Sequence, residues 1–234
     1  MQGFELINAI KNDYLDVAKT IMQLDSCDIN KQDQNGSTAL TLACEKEYHD
    51  LVKILLNDKH CNANLMDKRG YTALLISIKK KNPNIFQYLM DSRKCNMNIP
   101  DIHGITPLMC GMIFLDLEQV QQIIKQGVDI NAQDKLEGQT ALMIAISQDK
   151  IDLVKLLLST GKCNLNIQTL TKKGTAIMSA VHYGHVDIFK LLLHDSDLNI
   201  QDDIGNTVLL NAIFLRRKDF VKMLLIQVNV ICNL

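Results

Sequence analysis

Four cysteines, Cys27, Cys61, Cys95 and Cys163, each stand three places ahead of an asparagine; the first three are evenly spaced, and the fourth follows at twice that interval. Thiolates can hold zinc or close disulfides, but a zinc loop sets its cysteines only a few places apart so that one turn of chain wraps the ion. A long fixed interval points instead to a place kept once per structural unit. Asp33, Asp67, Asp101, Asp134 and Asp202 behave alike, each a few places ahead of a glycine. Carboxylates act as a general acid and base only when they converge on one substrate, and spread along a chain at a fixed place they read as turn formers. His182 and His185 form H-x-x-H, a spacing that sets two imidazoles on one helical face, but no third or fourth ligand stands nearby in sequence. Glycine-rich phosphate loops, a G-x-S-x-G elbow and H-E-x-x-H are all absent. The sequence therefore predicts no enzyme, no metal site and no cofactor.

The elements that carry these residues repeat. Thr38, Thr72, Thr106, Thr140, Thr175 and Thr207 recur at a nearly constant interval of about 34 residues, and Phe4 holds the equivalent place one period before Thr38. A period in this range marks a solenoid of supersecondary units that cannot bury their apolar faces alone. In the second unit, Asp33 and Gly36 frame a turn, Thr38 suits the N-cap of a short helix, and Ala39, Leu40, Leu42 and Ala43 supply its apolar side. After a polar break, Leu51, Val52, Leu55 and Leu56 form one face of a second helix. The same quartet recurs from Val17/Ala18/Ile21/Met22 to Phe220/Val221/Leu224/Leu225, and only the fourth unit departs, with Gln119 at its first place.

Turn, short helix, reversal and longer helix, repeated seven times, resemble the ankyrin repeat family. The residues that carry the likeness are "DQNGSTAL", "DKRGYTAL", "DIHGITPL", "EGQTAL", "DIGNTVL", "GVDINAQD" and "YGHVDIFKLLL". The resemblance implies an all-α fold, an ankyrin-type helix-turn-helix solenoid with β-turn or hairpin loops. Its repeats would span about 1–32, 33–66, 67–100, 101–133, 134–168, 169–201 and 202–234. Two departures stand out. Thr41, Leu75, Met109, Met143, Met178 and Leu210 replace the family's histidine, which predicts loss of the polar link it makes. The sixth turn, "TLTKKGT", places its glycine one position late, which predicts an irregularity near Thr171 to Gly174. In such a stack units sit ~10 Å apart, beyond the roughly 7 Å between Cα atoms that a disulfide tolerates. The four cysteines are then expected as small buried hydrophobes, and Asn30, Asn64, Asn98, Asn131, Asn166 and Asn199 as loop residues bonded to backbone.

Composition narrows the function. The 234 residues carry 25 basic and 26 acidic side chains, a net charge of −1, so no global field draws nucleic acid or an anionic membrane. No run of about 18 apolar residues and no signal-like N-terminus are present, and seven cysteines without a secretory signal suit a reducing compartment; the expectation is a cytoplasmic protein. The resemblance implies a non-enzymatic protein-interaction module, a scaffold, adaptor or assembly factor that grips a partner protein in the concave groove. The places that line the groove in ankyrin-like stacks hold Tyr71, Lys79 and Lys80 in the third unit, and Ile102, His103, Ile105, Ile113 and Phe114 in the fourth. Farther along they hold Leu136 and Gln139, then His182 and Tyr183. The fourth unit is the odd one, placing isoleucine and phenylalanine where its neighbours place lysine, serine or histidine. An alternative is a structural component of a large assembly, held by its ends and convex side. The apolar last unit, from Phe220 through Val228, Val230 and Ile231, supports it and predicts self-association or a further contact through the C-terminal repeat.

Overall fold

The structure is a computed structural model and describes residues 2–24 and 26–232, without the side chains of Gln2 and 228–232. Fourteen helices and no strand occur among the described residues. They fall in two compact units, Met1–Leu115 and Asp116–Leu234. In the first unit first and second helices alternate as α1 Gln2–Lys11, α2 Leu15–Met22, α3 Ala39–Glu45, α4 His49–Asn57, α5 Ala73–Lys79, α6 Pro83–Ser92 and α7 Pro107–Phe114. The second holds α8 Leu117–Lys125, α9 Ala141–Ser147, α10 Ile151–Ser159, α11 Ala176–Tyr183, α12 Val186–Leu192, α13 Val208–Phe214 and α14 Lys218–Cys232. Within each unit first helices pack on first helices (α3 on α5 on α7; α9 on α11 on α13), and second helices on second helices (α4 on α6; α8 on α10 on α12). This is an all-α stack of helix pairs.

Local chemistry explains the pairs. From the second repeat on, each first helix starts at its threonine: Thr38, Thr72, Thr106 and Thr140 accept at Oγ1 from the backbone N–H three places on, at 3.1–3.4 Å. In the second repeat Thr41 gives the polar link back, because its Oγ1 accepts from Thr38 N at 2.8 Å and completes a capping box. The expected loss of that link therefore does not hold at this repeat. The pair reverses at a left-handed residue, Asp13, Glu47, Lys81, Asp149, Gly184 and Arg216 in turn. The fourth repeat departs from this. Leu115 is extended there, and Asp116 caps α8 through a box with Gln119, so the glutamine that broke the apolar quartet is a capping residue.

The aspartates are turn formers, as expected. Asp33 Oδ1 accepts from Asn35 N and Ser37 N, both at 2.8 Å, and Asp67, Asp101 and Asp202 repeat the pattern. In the sixth repeat Thr169 stands in for aspartate. Lys173 takes the positive φ, Gly174 N donates to Thr169 Oγ1 at 3.0 Å, and Thr175 Oγ1 is left buried without a partner. The irregularity lies where the displaced glycine predicts it.

The asparagines do more than brace their own loops. Asn30 donates from Nδ2 to His60 O and accepts from Asn62 N, and Asn64 (with Lys94 and Asn96) and Asn131 (with Lys162 and Asn164) do the same, all at 2.6–2.9 Å. Gln32, Gln133 and Gln168 form a second series, each Nε2 donating to its own turn and to the next repeat. The cysteine expectation needs correction. Of the four periodic cysteines only Cys61 is buried; Cys27, Cys95 and Cys163 are half-buried, on loops that run over the surface between repeats. The fully enclosed thiols are Cys44 and Cys110, inside first helices. All six cysteines whose side chains are described are free. No helix of the described residues is long and apolar enough to cross a membrane.

Candidate protein-binding surface

In the first unit the third and fourth turns are tied together by Ile102 N donating to Arg69 O at 3.3 Å. Gly70 makes this approach possible: at φ +77° a side chain would be strained, and a Cβ there would lie 2.6 Å from Ile102 N. Around this seam sits Tyr71. Lys79 Nζ donates to its hydroxyl at 2.9 Å, lies 4.2 Å from its ring centroid and 3.7 Å from Asp101 Oδ2. Arg69 stacks its guanidinium 4.7 Å from the same ring, while Nε and Nη2 reach Asp67 Oδ2 at 2.7 Å and Nη2 reaches Glu45 at 3.4 Å. Burial works against the Lys79 ammonium, yet the Tyr71 hydrogen bond and the neighbouring Cys110, Tyr71 and Asp101 carry its pKa above the ordinary lysine value.

Lys79 and Arg69 are thus paired within a cluster that neutralises them, and Lys68, Lys80 and Lys81 are the exposed bases here outside any ion pair among the described residues. The apolar members are Ile102 and Ile113, both exposed, and Phe114 and Ile105, both half-buried. Lys81 Nζ lies 5.6 Å from the Phe114 ring centroid. His103 is exposed, and its backbone N–H is spent on Asp101. The sequence candidates of repeats three and four therefore fall on two short helices and the turns joined to them.

In the second unit Leu136 is exposed at its turn tip, and Gln139 is half-buried, donating to Glu137 Oε2 at 3.0 Å. His182 and Tyr183 are both exposed at the end of α11. Their rings meet edge to face at 5.1 Å, and Tyr183 stacks on His185 at 5.9 Å. His185 Nδ1 lies 3.1 Å from Asp149 Oδ1, so H-x-x-H here builds an aromatic row anchored by a carboxylate. No cluster of three or more histidine, cysteine or carboxylate side chains able to hold a metal ion occurs among the described residues. Sequence reasoning misses two residues: Leu170 and Ile204 are exposed on the next two turn tips, each one repeat length after the last, beginning from Leu136. Their period is the signal, masked because the sixth turn stands out for its glycine. Leu170 N donates to Glu137 O at 2.7 Å and Asp203 N to Lys172 O at 3.0 Å, so the tips form a bonded series.

The family model for "Ankyrin repeats (3 copies)" matches residues 6–101, 108–202 and 162–233. The chain belongs to the ankyrin repeat family. Among solved structures, this ankyrin chain resembles the ankyrin repeat domain of Bcl-3, described as a unique member of the IkappaB protein family. Identity is 23%, coverage 88% of this chain and 92% of that one, and the TM-score 0.74. At that identity the likeness speaks to the ankyrin fold alone. No curated protein matches the chain.

Proposed function

We propose that this ankyrin repeat protein is a non-enzymatic scaffold, adaptor or assembly factor of the cytoplasm that holds a partner protein on the surface of its turns and first helices. One observation carries the reading. Repeats three and four set Ile102, Ile113 and Phe114 beside Lys68 and Lys80, an apolar centre with a charged rim, on a frame where Tyr71, Lys79 and Asp101 lock one another in place. A preformed surface loses little entropy on binding. Free thiols suit a reducing compartment. Residues Leu136, Gln139, His182 and Tyr183 supply contacts of the same kind in the second unit.

The test pairs recovery of the native partner with melts of each variant. Phe114→Ala should weaken binding by ~2 kcal/mol with little change in stability, and Lys80→Glu should slow association and alter its salt dependence. If Phe114→Ala melts much earlier and yet, when folded, binds the same partner equally well, Phe114 belongs to the core and the surface is not functional. A second reading, a component held in a larger assembly through its ends, is favoured by the last repeat, where Leu210, Ile213, Phe214, Leu225 and Ile226 are exposed.

A further inference from the structure

Repeats three and four depart in charge from the rest of the chain. The whole protein is nearly neutral, yet across residues 67–115 the only acidic residues are Asp67, Asp91 and Asp101, while the turn and first-helix end of repeat three alone carry Lys68, Arg69, Lys79, Lys80 and Lys81. None of these carboxylates is left to balance the turn surface. Asp67 and Asp101 are buried, and each spends Oδ1 on backbone N–H groups of its own turn. Their second oxygens take Arg69 and Lys79. Asp91 lies on α6, the second helix of its pair, and accepts from Gln87 Nε2 at 2.8 Å. Lys68, Lys80 and Lys81 therefore stand exposed with no ion-pair partner among the described residues. The patch has an edge. At the places of Lys79 and Lys81 the second repeat holds Glu45, paired with Arg69, and Glu47, which accepts from Asn82 Nδ2 at 3.1 Å. Past Leu115 the next carboxylate in sequence, Asp116, caps α8.

The uncompensated charge adjoins apolar surface. Lys81 Nζ lies 5.6 Å from the Phe114 ring centroid, and the bond from Ile102 N to Arg69 O sets Ile102 against the turn that carries Lys68. Ile102 is 54% and Ile113 40% exposed. Packed helices stand about 10 Å apart, the length of about three residues of extended chain. A segment that crosses from repeat three to repeat four thus meets cations and, about three residues away, an apolar step. Carboxylates satisfy the first, and a large apolar side chain satisfies the second. A nucleic-acid backbone fits the pair poorly, because it would lay charged phosphates on Ile102, Ile113 and Phe114 and would release few counterions from so small a set of free lysines.

We propose that the turn surface of repeats three and four takes an acidic protein segment, with carboxylates on Lys68, Lys80 and Lys81 and a large apolar side chain on Ile102, Ile113 and Phe114. This rests on that surface being the partner-binding one and names the chemistry of the partner. Random peptides displayed on phage are selected on the whole chain and on a Lys68→Glu/Lys80→Glu/Lys81→Glu variant. A Lys59→Glu/Lys155→Glu/Lys162→Glu variant, with the same net charge but changed at exposed lysines of α10 and of loops after second helices, is the control. The parent and the control should enrich aspartate or glutamate about three places from leucine or phenylalanine; the first variant should enrich lysine or arginine there instead. A selected peptide, titrated by fluorescence anisotropy, should bind the first variant roughly tenfold or more weakly than the parent, and Phe114→Ala should weaken it too. Lys68→Gln/Lys80→Gln/Lys81→Gln should give the same loss, and serves if the reversed charges disturb the fold. Basic or uncharged peptides enriched on the parent, or acidic ones indifferent to the three lysines, overturn the proposal. If those peptides still depend on Phe114, the partner-binding surface stands and only its acidic partner falls. Peptides indifferent to Phe114 and to the lysines alike, or no enrichment at all, sink both. Labelled duplex DNA and phosphatidylserine vesicles complete the test: binding of either that the first variant abolishes, with no acidic peptide selected, assigns the patch to a polyanion and overturns the proposal.

Discussion

Four glycines of this chain share a left-handed backbone and differ in what lies beside them. Gly70 and Gly138 have φ of +77° and +73°, and a Cβ on either would lie 2.6 Å from a backbone nitrogen of the next turn, Ile102 N or Leu170 N. Gly127 and Gly161 have φ of +78° and +66°, with nothing within 4 Å of the same position. Replacing any of them by alanine incurs the left-handed penalty, ~1–2 kcal/mol. At Gly127 and Gly161 the loss should end there. At Gly70 the new methyl also meets Asp101 Cα at 2.8 Å and Asp101 C at 2.9 Å, atoms that no side-chain rotation can move aside. The third and fourth turns must separate, which breaks the Ile102 N to Arg69 O bond and disturbs the Asp101 loop; that adds a further ~1–3 kcal/mol for the unsatisfied groups. Urea unfolding of the four variants should therefore sort them into two classes, with Gly70→Ala and Gly138→Ala the more destabilised. Equal losses at all four would show that backbone conformation alone places these glycines and that the turn-to-turn contact is slack.

Two further predictions use local chemistry. Arg93 ends α6 in the left-handed region at φ +55°, exposed and without a side-chain partner among the described residues, so Arg93→Gly should stabilise the chain by about 0.5–1 kcal/mol. Asp149→Gly, which relieves the same strain, should gain less because it deletes the His185 pair; thermal melts compare the two. Burial pushes the Cys110 thiol up to about 11 and the Cys95 thiol up to about 12. A folded pKa above the unfolded one means the unfolded chain releases the proton first. Stability from these thiols is intact below about pH 9 and drains away as pH rises toward 11, by about 1.4 kcal/mol per pH unit for a fully protected thiol. Denaturation curves at pH 7.5, 9 and 10 should show Cys110→Ala with a shallower alkaline decline than the parent; parallel declines would mean the Cys110 thiol ionises as readily folded as unfolded.

Recurrence made most of the fold legible. Threonine N-caps, aspartate turns and the apolar quartet each depend on residues within one repeat, and seven copies overrule any local ambiguity. What the sequence left hidden depends on a neighbouring repeat. Asn30 looks the same in sequence whether it bonds its own loop or His60 in the next repeat. Lys79 reads as a groove cation, yet the approach of Tyr71 and Asp101 commits it to the frame and leaves Lys68, Lys80 and Lys81 as exposed charges. The cysteine period marks a shared place but not its depth: Cys61 is buried there, and Cys27, Cys95 and Cys163 are half-buried.

The two terminal repeats show the same dependence from the other side. Glu5 and Asn8 break the apolar pattern on the face where a preceding repeat would sit, so the break itself disfavours a stacked neighbour there. Leu210 and Ile213 keep the pattern and are exposed, whereas Met178 and Val181 at the same places of the sixth repeat are buried. A substitution of Ile213 by a charged residue would be severely destabilising if that side chain were packed inside the chain, as Ile146 is at the same place of the fifth repeat. At Ile213, which is 53% exposed, the fold should tolerate it. Comparing Ile146→Arg with Ile213→Arg by thermal melting tests this: the first should lose the fold, and the second should keep it. Equal loss of fold at both places would mean that Ile213 is covered within the chain itself.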